Sequence, residues 1–142
     1  MSTSTDGILA FGVTFDEGDQ PWGEEDYEDW LLSKIPDGPR APSEEYRVED
    51  LPLWKDYWKA KQAALDALGV TCENYCAGDY PLWALVVKSS AVTANRGYPK
   101  GVDPQAMVAI EDVHRATWDA AMKVLGLDLA DKPLWWLMSY WG

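Results

Sequence analysis

The chain has 142 residues, a formal net charge of −12, nine Trp and seven Tyr. This length suits a single domain over residues 1–142, and the negative field of the protein disfavours nucleic-acid phosphates and anionic lipid as direct partners. No apolar run approaches the roughly 20 residues of a membrane helix and the first residues lack the character of a secretory signal, so we expect a cytoplasmic protein with no membrane partner.

The first predicted element is a strand at residues 7–15, GILAFGVTF, where large side chains alternate with small ones. An acidic, Pro-containing excursion follows at residues 16–47. Its charge is concentrated early, because residues 1–33 hold nine of the 24 acids and none of the 12 bases. Residues 26–35 within the excursion predict a short helix that ends before Pro36.

Two longer helices are predicted, each from an aspartate N-cap, a proline in the first turn and a glycine stop. The first extends from Asp50 to Gly69, and the second extends from Asp103 to Gly126. Apolar side chains recur at helical spacing in both helices, and we assign these stripes to the core. The stripe residues are Trp54, Tyr57, Trp58, Leu65 and Leu68 in the first helix and Met107, Ile110, Trp118, Ala121 and Leu125 in the second.

Three further segments have strand character. Residues 70–76 and 82–90 flank the turn sequence AGDYP and predict a β-hairpin. The last segment, LWWLMSYW at residues 134–141, alternates like a strand but is apolar on both faces.

The resulting order β-α-β-β-α-β predicts an α+β fold of the ferredoxin-like type, with the acidic insertion after the first strand. In this fold two helices cover one face of a four-stranded antiparallel sheet. The terminal strand would lie at a sheet edge, beside the first strand. We therefore expect its second apolar face to be covered by the excursion or by another molecule, such as a second copy in a homodimer.

Motifs for catalysis are missing from the sequence. His114 is the only histidine, and no GxSxG, GxGxxG or GxxxxGK[ST] stretch occurs. We expect His114 to be a packed side chain of the second long helix. Cys72 and Cys76 lie four residues apart in a predicted strand, about 13 Å and beyond disulfide reach, so we expect two reduced thiols. The sequence predicts a protein that is not an enzyme, with no catalytic residue, metal or cofactor.

The acidic-aromatic part of the excursion is the first candidate binding site. It combines exposed charge with rings that a purely disordered acidic stretch would usually lack. One interpretation is a surface that enters a basic groove of a protein partner, and the alternative is a solvated insertion whose rings attach it to the core. The predicted partner-binding residues are Trp22, Glu24, Glu25, Asp26, Tyr27, Glu28, Asp29 and Trp30.

The loop from Lys88 to Lys100 is the second candidate. Lys88, Arg96 and Lys100 stand there without an acid, beside hydroxyl and amide side chains. This pattern favours an anionic ligand such as phosphate. The alternative is that the loop folds against the chain's own acidic excursion.

Three stretches resemble small, acidic accessory proteins encoded by tailed bacteriophages. They are STSTDGILAFG at residues 2–12, RGYP at 96–99 and WWLMSYWG at 135–142. The resemblance carries no catalytic residue. It implies a phage accessory protein in the host cytoplasm that binds and inhibits a host protein or nucleoprotein, including a defence system such as a CRISPR complex. An immunity-type neutraliser of a basic toxin is the alternative that the charge also fits.

Overall fold

The computed structural model describes residues 5–141 and confirms an α+β protein. The predicted sheet of four strands with two helices differs from the structure in detail, because the described residues form five strands and three helices. The third helix is the short one predicted at residues 26–35 of the excursion. Residues 2–4 and Gly142, which belong to two of the phage-like stretches, lie outside the described residues. The elements are β1 (Thr5–Thr14), α1 (Tyr27–Lys34), α2 (Leu51–Leu68), β2 (Val70–Ala77), β3 (Pro81–Val87), β4 (Val92–Ala94), α3 (Pro104–Leu125) and β5 (Leu134–Trp141).

The sheet is mixed and curls on itself. β1 has partners on both edges. Along one edge it pairs antiparallel with β5, and along the other edge it pairs antiparallel first with β4 and then with β3. β2 pairs antiparallel with β3, and its last residues, Cys76 and Ala77, run parallel to Tyr140 and Trp141 at the end of β5. The predicted purely antiparallel sheet is therefore wrong. β5 is not a simple edge strand, because it contacts β1 along its length and β2 at its end.

Ser90 and Gly12 lie where β1 changes its partner on one edge from β3 to β4. A single 3-10 turn at Lys88–Ser90 interrupts the pairing, and the Phe11 N–H at this gap donates instead to Ser90 Oγ at 2.9 Å. The Ser90 hydroxyl donates in turn to the Val87 carbonyl at 2.6 Å. The neighbouring Gly12 lies so close to β3 that a Cβ atom there would overlap the Leu85 carbonyl oxygen. A side chain at Gly12 is therefore incompatible with this crossing.

Both faces of β1 are buried, in two separate clusters. Phe11 and Val13 belong to the main cluster, which includes buried side chains from all three helices. Ile8 and Ala10 point to the opposite face, where a smaller cluster with Met138 is flanked by partly buried rings of the sheet itself. The buried tryptophans of the excursion belong to the main cluster and not to this smaller one. Coverage of this face by another molecule stays a prediction.

The predicted helix ends are correct to within a residue. Gly69 and Gly126 end α2 and α3 in the left-handed conformation that glycine adopts readily, with φ of 79° and 65°. Asp103 caps α3 by accepting from the Gln105 N–H at 3.0 Å. Asp50 precedes α2 but makes no such side-chain bond.

The predicted core stripes are correct only where a helix lies over the sheet. Trp118, Ala121 and Leu125 of α3 are buried, whereas Ile110 is exposed. In α2 only Leu68, in the last turn, is buried. Within residues 5–141, none of the helices combines the length and apolar character needed to cross a membrane.

Candidate interaction surfaces

The excursion is attached to the core through its aromatic rings. Trp22 and Trp30 are only 4% and 5% exposed, and their ring centroids lie 5.4 Å apart. Trp22 also packs edge-on against Phe15 of the chain leaving β1 and against Trp83 of β3, at 5.6 and 5.5 Å. Tyr27 contacts the same Trp83 at 5.7 Å. Such pairs add roughly 0.5–1.5 kcal/mol each beyond their area burial. This burial agrees with the interpretation that the rings attach the excursion to the core, and it leaves Trp22 and Trp30 little surface for a partner.

Three of the predicted partner-binding acids have partners inside the chain. The Asp26 carboxylate caps α1 by accepting from the Glu28 and Asp29 N–H groups at 2.9 and 3.2 Å. Lys61 of α2 lies 3.6 Å from Glu28 and 3.3 Å from Asp29. Burial of the Lys61 ammonium opposes its charge, but the hydrogen bond to Asp29 and the nearby Glu28 outweigh this effect and raise the pKa of Lys61. Asp26 thus caps α1, while Glu28 and Asp29 connect α1 to α2 through Lys61.

The excursion acids that precede the N-cap of α1 lie on a loop, residues 16–25, which we call the acidic loop. Consecutive turns shape it, with backbone bonds from Asp19 N to Asp16 O, Gly23 N to Gln20 O and Glu25 N to Trp22 O at 2.9–3.1 Å. Its acidic side chains are exposed, and none forms an ion pair among the described residues. They are Asp16, Glu17, Asp19, Glu24 and Glu25.

An open cleft of about 500 Å³ adjoins the acidic loop. Asp16 and Asp19 line one side of it, and Asp131 and Lys132 line it from the segment before β5. The Trp136 ring also borders the cleft, with its indole N–H donating to the Gly12 carbonyl at 2.8 Å. The loop and the cleft together form a surface that favours positive charge.

The three cations of the Lys88–Lys100 loop, which were predicted to bind an anion, have different surroundings in the structure. Lys88 bonds Asp66 of α2 at 2.9 Å, and this hydrogen bond holds the pKa of Asp66 below its usual range. The backbone N–H of Arg96 donates to Asp6 of β1 at 3.2 Å, and Lys100 is exposed in the following segment. The loop thus contacts acids of the chain itself, but these acids are not those of the excursion.

His114 is packed in the core, as predicted. The residue is 4% exposed, and its ring packs against Phe11 and Trp135, with centroids at 6.3 and 5.7 Å. Nδ1 has no hydrogen-bond partner within the described chain, and burial lowers the pKa of the ring. Glu111 and Arg115 lie nearby, where Glu111 accepts from the Trp135 indole at 3.1 Å. The imidazole has no carboxylate partner of the kind that a catalytic triad uses.

Cys72 and Cys76 are free thiols in different environments. Cys72 is buried, and this burial raises its pKa, which makes the thiolate a rare species. Cys76 is exposed at the bend of β2, with φ of 77°. Within the described part of the chain, no group of three or more His, Cys, Asp or Glu side chains is placed to hold a metal ion.

The first half of α2 carries an aromatic surface that the sequence assigned to the core. Trp54, Tyr57 and Trp58 form this ring face of α2, and Trp58 is 46% exposed. Tyr46, from the loop before the helix, covers part of it with centroid distances of 5.9 Å to Trp54 and 6.1 Å to Trp58. Tyr46 itself is 50% exposed. Sequence reasoning missed Tyr46, because a single aromatic residue in a Pro-containing loop has no periodic pattern to identify it.

The ring face contains one unpaired buried donor. The Trp54 indole N–H is buried without a hydrogen-bond partner among the described residues. An unpaired buried donor costs about 1–3 kcal/mol. This cost offsets part of the stability that the ring contacts contribute.

Comparison of the chain with protein-family models, with curated proteins and with solved structures found no match. The resemblance to phage accessory proteins stays a prediction. The function of this chain is therefore inferred from its own charges, rings and loops.

Proposed function

We propose that the protein is a non-enzymatic accessory protein that binds the basic surface of a partner and inhibits it by occupancy. The observation that carries this proposal is the ordered acidic loop, which the buried Trp22 fastens to the core. A loop that is already ordered loses little conformational entropy on binding, so more of its interaction energy appears as affinity.

Charge supports a role in association. The five acids of the loop are exposed and lack ion pairs among residues 5–141, and the whole chain carries a net charge of −12. Such a field accelerates encounter with a positively charged groove and disfavours wrong partners.

The class of partner follows from the same chemistry. A groove that normally receives nucleic acid is rich in Lys and Arg, which suits a carboxylate-covered loop. With the phage resemblance, this favours a host protein or nucleoprotein in the cytoplasm, such as a defence complex. A basic toxin presents similar chemistry, and identification of the captured partner distinguishes the two.

The test compares two variants of equal charge. One neutralises the five acids of the acidic loop, and the control neutralises five exposed acids elsewhere, so that each changes the net charge from −12 to −7. The control acids are Glu44, Glu45, Glu49, Asp79 and Asp128. The partner is captured from host lysate with the parent protein, identified and purified, and its affinity for each form is measured across a salt series.

We expect the parent affinity to fall steeply with salt and the loop variant to bind about tenfold or more weakly, with a smaller change in the control. Equal losses in both variants would assign the effect to net charge alone. A flat salt response with unchanged affinities would reject the acidic loop as the contact surface.

A further inference from the structure

The edge of β5 that faces β2 is unpaired over most of its length. β2 meets β5 only at its last two residues, which pair with the last two residues of β5. Among the described residues, no strand lies beside residues 134–139 on this side. This segment, LWWLMS, contains no charged residue and no proline, which are features that proteins use to block pairing at an open edge. The edge is therefore open to another strand.

The backbone of β5 directs hydrogen-bonding groups to this open edge. The Trp141 carbonyl accepts from the N–H of Gly78, directly after β2, at 3.3 Å. Because consecutive residues of a strand point their N–H and C=O groups to opposite edges, the odd-numbered residues of β5 share this direction. They include Trp135, Leu137 and Ser139, while the residues between them face β1. Leu137 is also 82% exposed, so an added strand would cover part of its side chain.

A groove follows the same edge. Thr14 and Trp136 border both the cleft beside the acidic loop and a second cavity of about 290 Å³, which residues of β2 and β5 also line. The lining of this second cavity includes Tyr75 and Met138. The cleft, at the start of β5, is lined by three aspartates and Lys132. The groove is thus apolar and aromatic at one end and negatively charged at the other.

We propose that the open edge of β5 binds an extended segment of the partner by strand addition, with a Lys or Arg of that segment in the acidic cleft. Main-chain hydrogen bonds to the edge bind an extended chain, and the aspartates of the cleft select a basic one. An antiparallel arrangement pairs slightly better than a parallel one, and it places the basic residues at the C-terminal end of the segment.

A second copy of this protein is the less favourable occupant of the edge. β5 itself has no basic residue, and each copy carries a net charge of −12, so two copies repel each other. The inference rests on the proposed function for the charge of the partner. It adds the conformation of the partner segment and the strand that receives it.

The test uses the peptide acetyl-VTVTVTRK-amide, which combines β-branched residues with a basic end, and acetyl-VTVTVTEE-amide as its charge control. Isothermal titration calorimetry measures the affinity of each peptide for the full chain. Leu137→Pro removes the N–H that faces the open edge and no N–H that faces β1, and Leu137→Thr is the matched control that keeps this N–H. Both variants keep every acid, so they test the edge separately from the charge, which the variant of the acidic loop tests.

We expect the basic peptide to bind the parent and Leu137→Thr equally and to bind Leu137→Pro about tenfold or more weakly. The acidic peptide should bind the parent about tenfold or more weakly than the basic one. Equal binding of the two peptides, or no binding of the basic one, overturns the proposal. Unchanged binding to Leu137→Pro with a loss in the loop variant rejects strand addition and keeps the acidic loop as the contact surface.

Amide hydrogen exchange of the parent decides the question even if Leu137→Pro does not fold. The basic peptide should slow exchange at Leu137 and Ser139 by about tenfold or more and leave Met138, which faces β1, unchanged. Absence of this alternating protection overturns the proposal. Protection that appears without peptide as the protein concentration rises also overturns it, because a second copy then occupies the edge.

Discussion

Two aromatic groups of this protein have opposite environments. The excursion rings Trp22 and Trp30, named among the predicted partner-binding residues, are buried in the main core, in agreement with the alternative that the rings attach the excursion to the core. The ring face of α2, predicted to be core, lies largely outside it and is covered by one loop tyrosine. Acidic neighbours therefore do not keep a ring at the surface, and helical periodicity does not guarantee that a ring is buried.

The two groups of rings differ in burial because their segments contact different parts of the protein. Gly69, at the end of α2, lies against Thr117 in the middle of α3, and the last turns of α2 share an apolar groove with α3. The first half of α2 therefore extends past the end of α3 and away from the main cluster. The excursion leaves β1 at Phe15. Trp22 packs there against Phe15 and Trp83 of the core, and Trp30 packs against Trp22.

The largest expected effect is the loss of a buried excursion ring. Trp22→Ala or Trp30→Ala should lower the free energy of unfolding by about 3–5 kcal/mol, because each leaves a cavity in the core. Trp58→Ala, the matched control on α2, should cost about 1 kcal/mol or less, since this ring is half-exposed. Chemical denaturation of the three variants measures both. Equal costs for Trp22 and Trp58 would contradict the contrast between the two groups.

The pH at which stability begins to fall should differ between the buried His114 and the exposed Asp66. Burial lowers the pKa of His114 below its ordinary 6.5, so the unfolded chain binds the proton more tightly than the folded chain. Stability should therefore be full above pH 6.5 and decline as the pH falls below it. The exposed Asp66, whose pKa the Lys88 hydrogen bond lowers, should lose its contribution only below its ordinary 3.8. Thermal unfolding across pH tests this order.

His114→Phe is the control for the pH prediction. The variant keeps a ring between Phe11 and Trp135 but cannot be protonated, so the decline just below pH 6.5 should flatten. Glu111 and Arg115, which lie near His114 on α3, are unchanged in this variant. Any pH dependence that the variant keeps therefore comes from groups other than the imidazole. An unchanged pH profile would show that His114 does not cause the decline.

The sequence predicts local structure in this protein better than it predicts contacts between distant segments. Gly69, Gly126 and Asp103 mark helix ends through backbone chemistry that depends on few neighbours. The curl of the sheet depends on pairings far apart in sequence, such as Phe11 with Ser90 and Cys76 with Tyr140, for which no local pattern exists. The candidate site shows the same limit. The charge pattern locates the acidic loop, but it does not reveal that Glu28 and Asp29 pair with Lys61 of α2.

A smaller effect is expected where the excursion meets α2. Replacement of Lys61 with Met should lower the free energy of unfolding by about 0.2–1 kcal/mol, because Glu28 and Asp29 remain largely solvated and water screens their attraction to the ammonium. The loss should shrink as salt is added. A double-mutant cycle with Asp29→Asn measures the pair itself, and a coupling well above this range would mean that the ion pair, more than the buried rings, fastens the excursion.

The smallest effect on stability is expected in the acidic loop. Glu24 and Glu25 are exposed, follow the turn at Gly23, and have no ion-pair partner among residues 5–141. The double variant Glu24→Gln/Glu25→Gln should therefore change the free energy of unfolding by no more than about 0.5 kcal/mol. Slight stabilisation is the expected direction, because the substitution relieves repulsion in a chain of net charge −12. Denaturation curves at low and high salt measure the change, and a clear loss would mean that these carboxylates have structural partners. If stability is unchanged while the captured partner binds more weakly, the weakening arises at the contact surface and not from the fold.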